Sequence, residues 1–467
     1  MPEWDRLKKL IEEEFTQSKE EGKCPDTLAE LKGEFAAAGD DGASLYALHQ
    51  RLLAVPVAKD FPFQEPSGLE SIRALRPSAR PSFSTTFAAG VLADKMYGAW
   101  LGRCAGCALG KPVETISMAA PGPGWQTLKR YLTAISPEEW PLRDYFPLHS
   151  PAEAEMPPIG SEASTREHIA FMETDDDIRY TVLGQIVLHQ KGAAFTTADV
   201  ARLWTERLPF GLVFTAETQA YRNLIVNDGC FVGTDSTRPI GENWDWVATH
   251  LNPYREWIGA QIRVDSYGYA APGRPELAAD FAWRDARLSH VKNGIYGAMF
   301  CAAMIAASFA TTDVRAIIEA GLAEIPATSR LYSEMRQAIA ICERHQCDIA
   351  NLEPIFDDLH ALLGHYSSVH TNNNAAVCVV ALLLSGGDFH KGITAAVMGG
   401  WDSDCNGATV GSILGAMIGA KQLPSQWTAR LNDTLNSAII DYHPIAISEC
   451  ARRSTAIAQK LAGSPIS

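Results

Sequence analysis

The sequence predicts an all-α protein, a compact multi-helix domain preceded by an N-terminal helical extension. Three observations lead there. Apolar residues recur at three- and four-residue spacing along most of the chain, as in Leu7, Leu10, Ile11 and Phe15, or Val182, Leu183, Ile186 and Val187. Alternating apolar and polar runs, the mark of half-buried strands, are scarce. Two ladders of glycine at four-residue spacing, Gly98-Gly102-Gly106-Gly110 and Gly407-Gly411-Gly415-Gly419, fall within small-residue stretches. A glycine costs ~1 kcal/mol relative to alanine inside a helix, so each ladder must gain something in return. Spacing of four places the glycines on one ridge, where a second backbone can approach closely. The ladders face either each other or two different helices.

Residues 1–88 read as a separate helical extension, with Leu28, Leu31, Phe35, Leu45, Leu48 and Leu52 continuing the helical pattern. The extension ends in a Pro/Ser-rich linker, Arg76 to Thr86. Residues 89–467 form the main domain. Its most apolar helices are predicted at Ala298 to Ala307, at Ala375 to Leu384 and around Leu414, Met417 and Ile418.

Composition narrows the function. The chain has 467 residues and a formal net charge of −15, which argues against a general grip on nucleic acid. No apolar run reaches the ~18–20 residues of a membrane span. The acidic start, with Glu3, Asp5 and Glu12 to Glu14, lacks the form of a signal peptide, so a cytoplasmic location is expected. Ten cysteines are scattered rather than paired, as in reduced proteins. Cys104 and Cys107 form a CxxC without a partner pair, which reads first as helix packing.

Two acidic turns carry the chemistry. Glu173-Thr174-Asp175-Asp176-Asp177 opens one helix, and Gly399-Gly400-Trp401-Asp402-Ser403-Asp404-Cys405-Asn406 opens another. Acidic residues at a helix start either cap it or bind a cation. One carboxylate suffices for a cap, whereas three in a row repel unless a cation or solvent intervenes. Oxygen-only clusters of this kind suit hard cations such as Mg²⁺, Mn²⁺ or Ca²⁺.

Gly98 to Glu114 (GAWLGRCAGCALGKPVE), Thr174 to Asp177, Asp285 to Ile305 (DARLSHVKNGIYGAMFCAAMI) and Gly400 to Ala420 together resemble, in order, the motifs of the ADP-ribosylglycohydrolase family. That family includes the dinitrogen-reductase-activating glycohydrolases. The resemblance implies an all-α fold and a binuclear Mg²⁺ site, with Mn²⁺ as a substitute. Thr174, Asp175, Asp176, Asp402 and Asp404 would hold the two ions. Glu114, Asp175 and Asp176 would be the catalytic carboxylates. His290 matches a family histidine near the ligand. Departures are visible too: Cys107 stands where many members have Asp, and Cys405 where they have Thr or Ser. Trp401 replaces a small residue and is placed to wall the pocket, and Asp177 replaces a second Thr.

The tyrosine-bearing stretch Val264 to Pro275, with Tyr267, Gly268 and Tyr269, reads either as a loop walling the substrate or as a packed surface loop. His370 and Asn372 to Asn374 either line the pocket or start the following helix. The expected activity is metal-dependent hydrolysis of an N- or O-ribosyl bond, foremost removal of ADP-ribose from a modified protein side chain. The alternatives are hydrolysis of a free ribosyl or nucleoside-like metabolite, and a non-catalytic ADP-ribose-binding module.

Overall fold

A computed structural model describes residues 6–119, 122–226 and 243–463. Among them the chain is overwhelmingly helical. The one sheet is a two-stranded antiparallel pair, Thr434–Leu435 with Ile445–Ala446. No helix among the described residues is long and apolar enough to cross a membrane.

The extension folds as α1 (Leu7–Glu20), α2 (Pro25–Ala38) and α3 (Gly42–Ala54). Proline pre-sets the first turn of α2, and the Asp41 carboxylate caps α3 by accepting from Ser44 N at 2.9 Å. Ile11, Leu28, Leu31, Leu45, Leu48 and Leu52 close a small core of their own. The opposite face of α1 is polar, yet Glu14, Gln17 and Ser18 are buried there against the main domain. Arg255 binds Glu14 at 2.6 Å and Glu21 at 2.9 Å, and Gln17 donates to Glu256 at 2.8 Å. The Pro/Ser-rich stretch after residue 75 has no regular structure but is strapped down. Arg80 donates to Glu324 at 2.7 Å, and Arg76 reaches both Glu324 and Glu276.

One member of this interface is out of balance. Burial first, and the nearby Glu256 charge second, lift the Glu20 carboxyl from 4.5 to about 8. In the unfolded chain it ionises near the ordinary value, so folding loses stability as pH rises from that value through about 8. Glu20→Gln removes this dependence. The variant should melt progressively higher than the parent between pH 5 and pH 8, at ~1.4 kcal/mol per unit of displaced pKa. Parallel thermal melts check it, and a constant difference across that range counts against the assignment.

Five helices position the site: α4 (Ala89–Gly110), α5 (Asp176–Lys191), α6 (Lys292–Ser308), α7 (Thr371–Ser385) and α8 (Ser403–Ile418). Asn293 to Ser308 of α6 and Ser403 to Met417 of α8 are buried throughout. That explains their small-residue sequences and the lack of charge beyond their first turns, since a helix covered on every side needs no polar face.

The glycine ladders face each other. α4 and α8 run antiparallel with Gly98 against Gly415, Gly102 against Gly411 and Gly106 against Gly407. A Cβ on any of these residues would sit under 3.0 Å from the opposing backbone. Gly419 ends α8 with φ +83° and still lies on the seam, where its missing Cβ leaves room for Asp94 of α4. The final rung is Gly110, whose missing Cβ makes room for the backbone of Ser403 and Asp404. Ser403 Oγ then donates to Gly110 O at 3.0 Å. The seam therefore brings the acidic start of α8 against the end of α4.

The other acidic turn is held by the same helix. Arg103 of α4 is fully buried and donates to Asp177 O at 2.7 Å and to its carboxylate at 3.0 Å. It also faces Asp265 at 3.0 Å. A buried guanidinium needs such pairing, because an unmatched charge there is strongly destabilising.

Candidate active site

The turns around positions 175 and 403, remote in sequence, open into one cavity of about 500 Å³. That size suits a small-molecule site. Thr174, Asp175, Asp176, Asp402 and Asp404 all line it, as does Glu114. Among the described residues that line it, six carboxylates, counting Glu217, face two cationic side chains, Lys111 and Arg179.

The two turns are built differently. Asp175 is a cap: its Oδ1 accepts from Asp177 N at 2.9 Å, and its Oδ2 pairs with the Lys111 ammonium. Lys111 holds the Asp175 carboxyl well below the usual range against the opposing effect of burial. Thr174 Oγ1 accepts from Arg179 at 2.9 Å. Asp402, although it stands at the N-cap of α8, makes no capping bond with its side chain. Asp402 and Asp404 are 3% and 2% exposed, and Oδ1 of each has no hydrogen-bond partner.

The backbone aims this second turn. Gly400 and Trp401 both take positive φ, +78° and +56°. For tryptophan that conformation is strained, and such strain collects at functional sites. Asn374 fixes the turn by accepting from Asp402 N at 3.1 Å and from Asn406 Nδ2 at 2.9 Å. His370 caps α7 through Asn372 N at 3.1 Å. Of these residues, then, His370 starts the helix and Asn374 positions the acidic turn.

Crowding of like charge is legible in the proton affinities. Asp404 first, then burial, lift the Glu114 carboxyl well above its ordinary range. Burial followed by Asp404 does the same to Asp402. Asp176 is lifted to about 7 by burial and Asp175, and Asp404 to about 6 by burial and Asp175. A cluster that must otherwise hold protons is one that a divalent cation would relieve. Asp402, Asp404 and Cys405 bring ligand atoms within 4.8 Å of one another, and so do Cys107, Asp175, Asp177 and Asp404. The oxygen donors fit Mg²⁺, the orphaned Asp402 and Asp404 oxygens above all. Burial keeps the Cys107 and Cys405 thiols protonated, and a thiol is a poor ligand for a hard cation.

Five residues expected to touch substrate do not line this cavity. Asp265–Ala270 is a short buried helix, not a loop. Tyr267 donates to Asp285 at 2.8 Å, Tyr269 meets Ser412 at 2.7 Å, and Gly268 packs on Ile305. Their hydroxyls are satisfied in the core, and none of the three lines the cavity. Trp401, also outside the lining, stacks on His360 with ring centroids 5.7 Å apart. His290 is likewise not part of the lining. It is fully buried behind Glu217, with Nδ1 on Ser289 Oγ at 2.8 Å.

The apolar wall comes instead from Phe214, Trp257, Ile258 and Val369. Thr215 beside them has φ +41°, unusual for a β-branched residue. No spacing in the sequence signals this wall, because its members come from connections that only the fold assembles.

No match to this chain is found among curated proteins. Among solved structures the chain is similar to one described as an ADP-ribosylglycohydrolase-related protein complex, at 17% identity and TM-score 0.47. That likeness covers 79% of this chain and 99% of the other. A sequence model of the ADP-ribosylglycohydrolase family matches residues 89–460, the span that contains both glycine ladders and both acidic turns. The chain belongs to the ADP-ribosylglycohydrolases, a family of glycosidase-type hydrolases.

Proposed function

We propose that this protein hydrolyses a ribosyl bond in the presence of Mg²⁺, releasing ADP-ribose from a modified protein side chain. The observation that supports this most is the convergence of Asp402 and Asp404, with their orphaned oxygens, on the cavity that Glu114, Asp175 and Asp176 also line. Mg²⁺ held by this acidic set, with Mn²⁺ as a substitute, would supply a Lewis acid for the ribose hydroxyls.

The chain's own groups account for the rest. Glu114, surrounded by the charges of Asp404, Asp175 and Asp176, is the carboxyl placed to exchange a proton with an attacking water. The remaining carboxylates stabilise positive charge developing at the anomeric carbon. Phe214 and Trp257 offer flat apolar surface for a nucleobase. The cysteines are free among the described residues, which suits a cytoplasmic enzyme.

Incubation with ADP-ribosylated arginine and serine proteins, with and without Mg²⁺, tests the reading. Free ADP-ribose should appear only with the metal, and Glu114→Gln should slow its release by ~100-fold or more, within the range of general acid–base catalysis. Turnover of free ribosyl metabolites alone would move the substrate class. Tight ADP-ribose binding with no release from any substrate would leave a binding module.

A further inference from the structure

Lys111 is the first residue after α4, fixed there by the glycine seam beside Asp404. Its side chain is only 14% exposed, and its Nζ makes an ion pair with Asp175 Oδ2 inside the cavity. Its charge bears on Glu114 and Asp176, and Asp175, Cys107 and Asp404 act back on it. The last three belong to the donor group that also includes Asp177.

That group has little left to offer a metal ion. Asp175 has one oxygen on Asp177 N and the other on Lys111. Asp177 faces Arg103 at 3.0 Å, and Cys107 is a neutral thiol in a fully buried position. One oxygen each of Asp177 and Asp404 is left without a partner, and Asp404 belongs equally to the second group, Asp402-Asp404-Cys405. In that second group Oδ1 of both Asp402 and Asp404 lacks a donor.

We infer that the Lys111 ammonium fills the second cation position, so that this site takes one divalent ion, on Asp402 and Asp404, instead of two. An ammonium and a divalent ion compete for the same carboxylate oxygens, and the tethered ammonium gives up side-chain freedom but no translational freedom. Its single charge still offsets Asp175, so the cluster stays intact with one metal fewer. This inference rests on the divalent-cation reading above.

Counting Mn²⁺ alone on the full-length chain, by equilibrium dialysis with metal analysis and by electron paramagnetic resonance, tests it. The parent should bind one Mn²⁺ per chain, with the spectrum of an isolated ion. Lys111→Ala should bind two, with the signature of an exchange-coupled pair, whereas Lys111→Arg should remain at one. Asp402→Asn/Asp404→Asn in the parent background should bind none. Two ions on the parent, or one on Lys111→Ala, overturns the role given to Lys111 while leaving the metal-dependent hydrolase standing. No Mn²⁺ on either protein overturns both. The count on the parent needs no variant to fold, and circular dichroism establishes whether each variant has.

Discussion

Asp404→Asn should remove metal-dependent hydrolysis while making the metal-free protein harder to melt. Asp404 belongs to both donor groups, and its charge bears on Glu114, Asp402, Asp176 and Asp177. Losing that charge takes one orphaned oxygen from the cation and relieves repulsion within a buried cluster. Even groups behind a metal's ligands are worth 10–100-fold in affinity or activity, so a direct ligand should be worth ~100-fold at the least. Stability moves the other way, because a buried like-charge neighbour is removed and no cap is lost: the N-cap of α8 is Asp402, whose side chain caps nothing. In melts, the parent should gain stability on adding Mg²⁺, as any protein does when a ligand binds the folded state alone. The variant should start higher and gain nothing. A variant that melts lower without metal would assign Asp404 a structural role and undercut the cation site.

The same contrast between the two turns shows what the sequence could and could not reveal. Residue type and order were enough to bring Thr174 to Asp176 and Asp402 to Asp404 under suspicion. They could not say which carboxylate was a cap. Asp175 and Asp402 both stand at a helix start, and only coordinates distinguish a carboxylate bonded to Asp177 N and Lys111 from one with a bare oxygen. The all-α class was equally legible, because α6, α7 and α8 are long and carry no charge on any side beyond their first turns.

Substrate contacts were not legible. Tyr267 and Tyr269 have the composition of a binding wall, yet their hydroxyls meet Asp285 and Ser412 inside the core. A buried tyrosine with an internal partner and one facing a ligand look alike in a sequence. The six-residue helix that carries them is too short for its periodicity to be seen. Phe214, Trp257 and Val369 come from separate connections, and no local pattern unites them.

The glycine seam carries the second large prediction, because it decides whether the acidic turns meet at all. Gly106→Ala should destabilise the protein by about 3 kcal/mol, the upper end of what overpacking usually costs. Alanine's better helix propensity returns ~1 kcal/mol of that at most. The clash dominates because the added methyl would meet the Gly407 carbonyl and not a side chain able to rotate away. Position along the seam should then separate stability from chemistry. Gly98→Ala meets the backbone of Gly415 and Ala420, far from the cavity, and should lower the melting temperature without altering Mn²⁺ affinity. Gly110→Ala meets the backbone of Ser403 and Asp404 themselves and should lower both. Melts and Mn²⁺ titrations on the two variants read the difference. Equal loss of affinity in both would mean that α4 and α8 move as one rigid pair, so that the seam sets the position of the acidic turn only as a whole and not rung by rung.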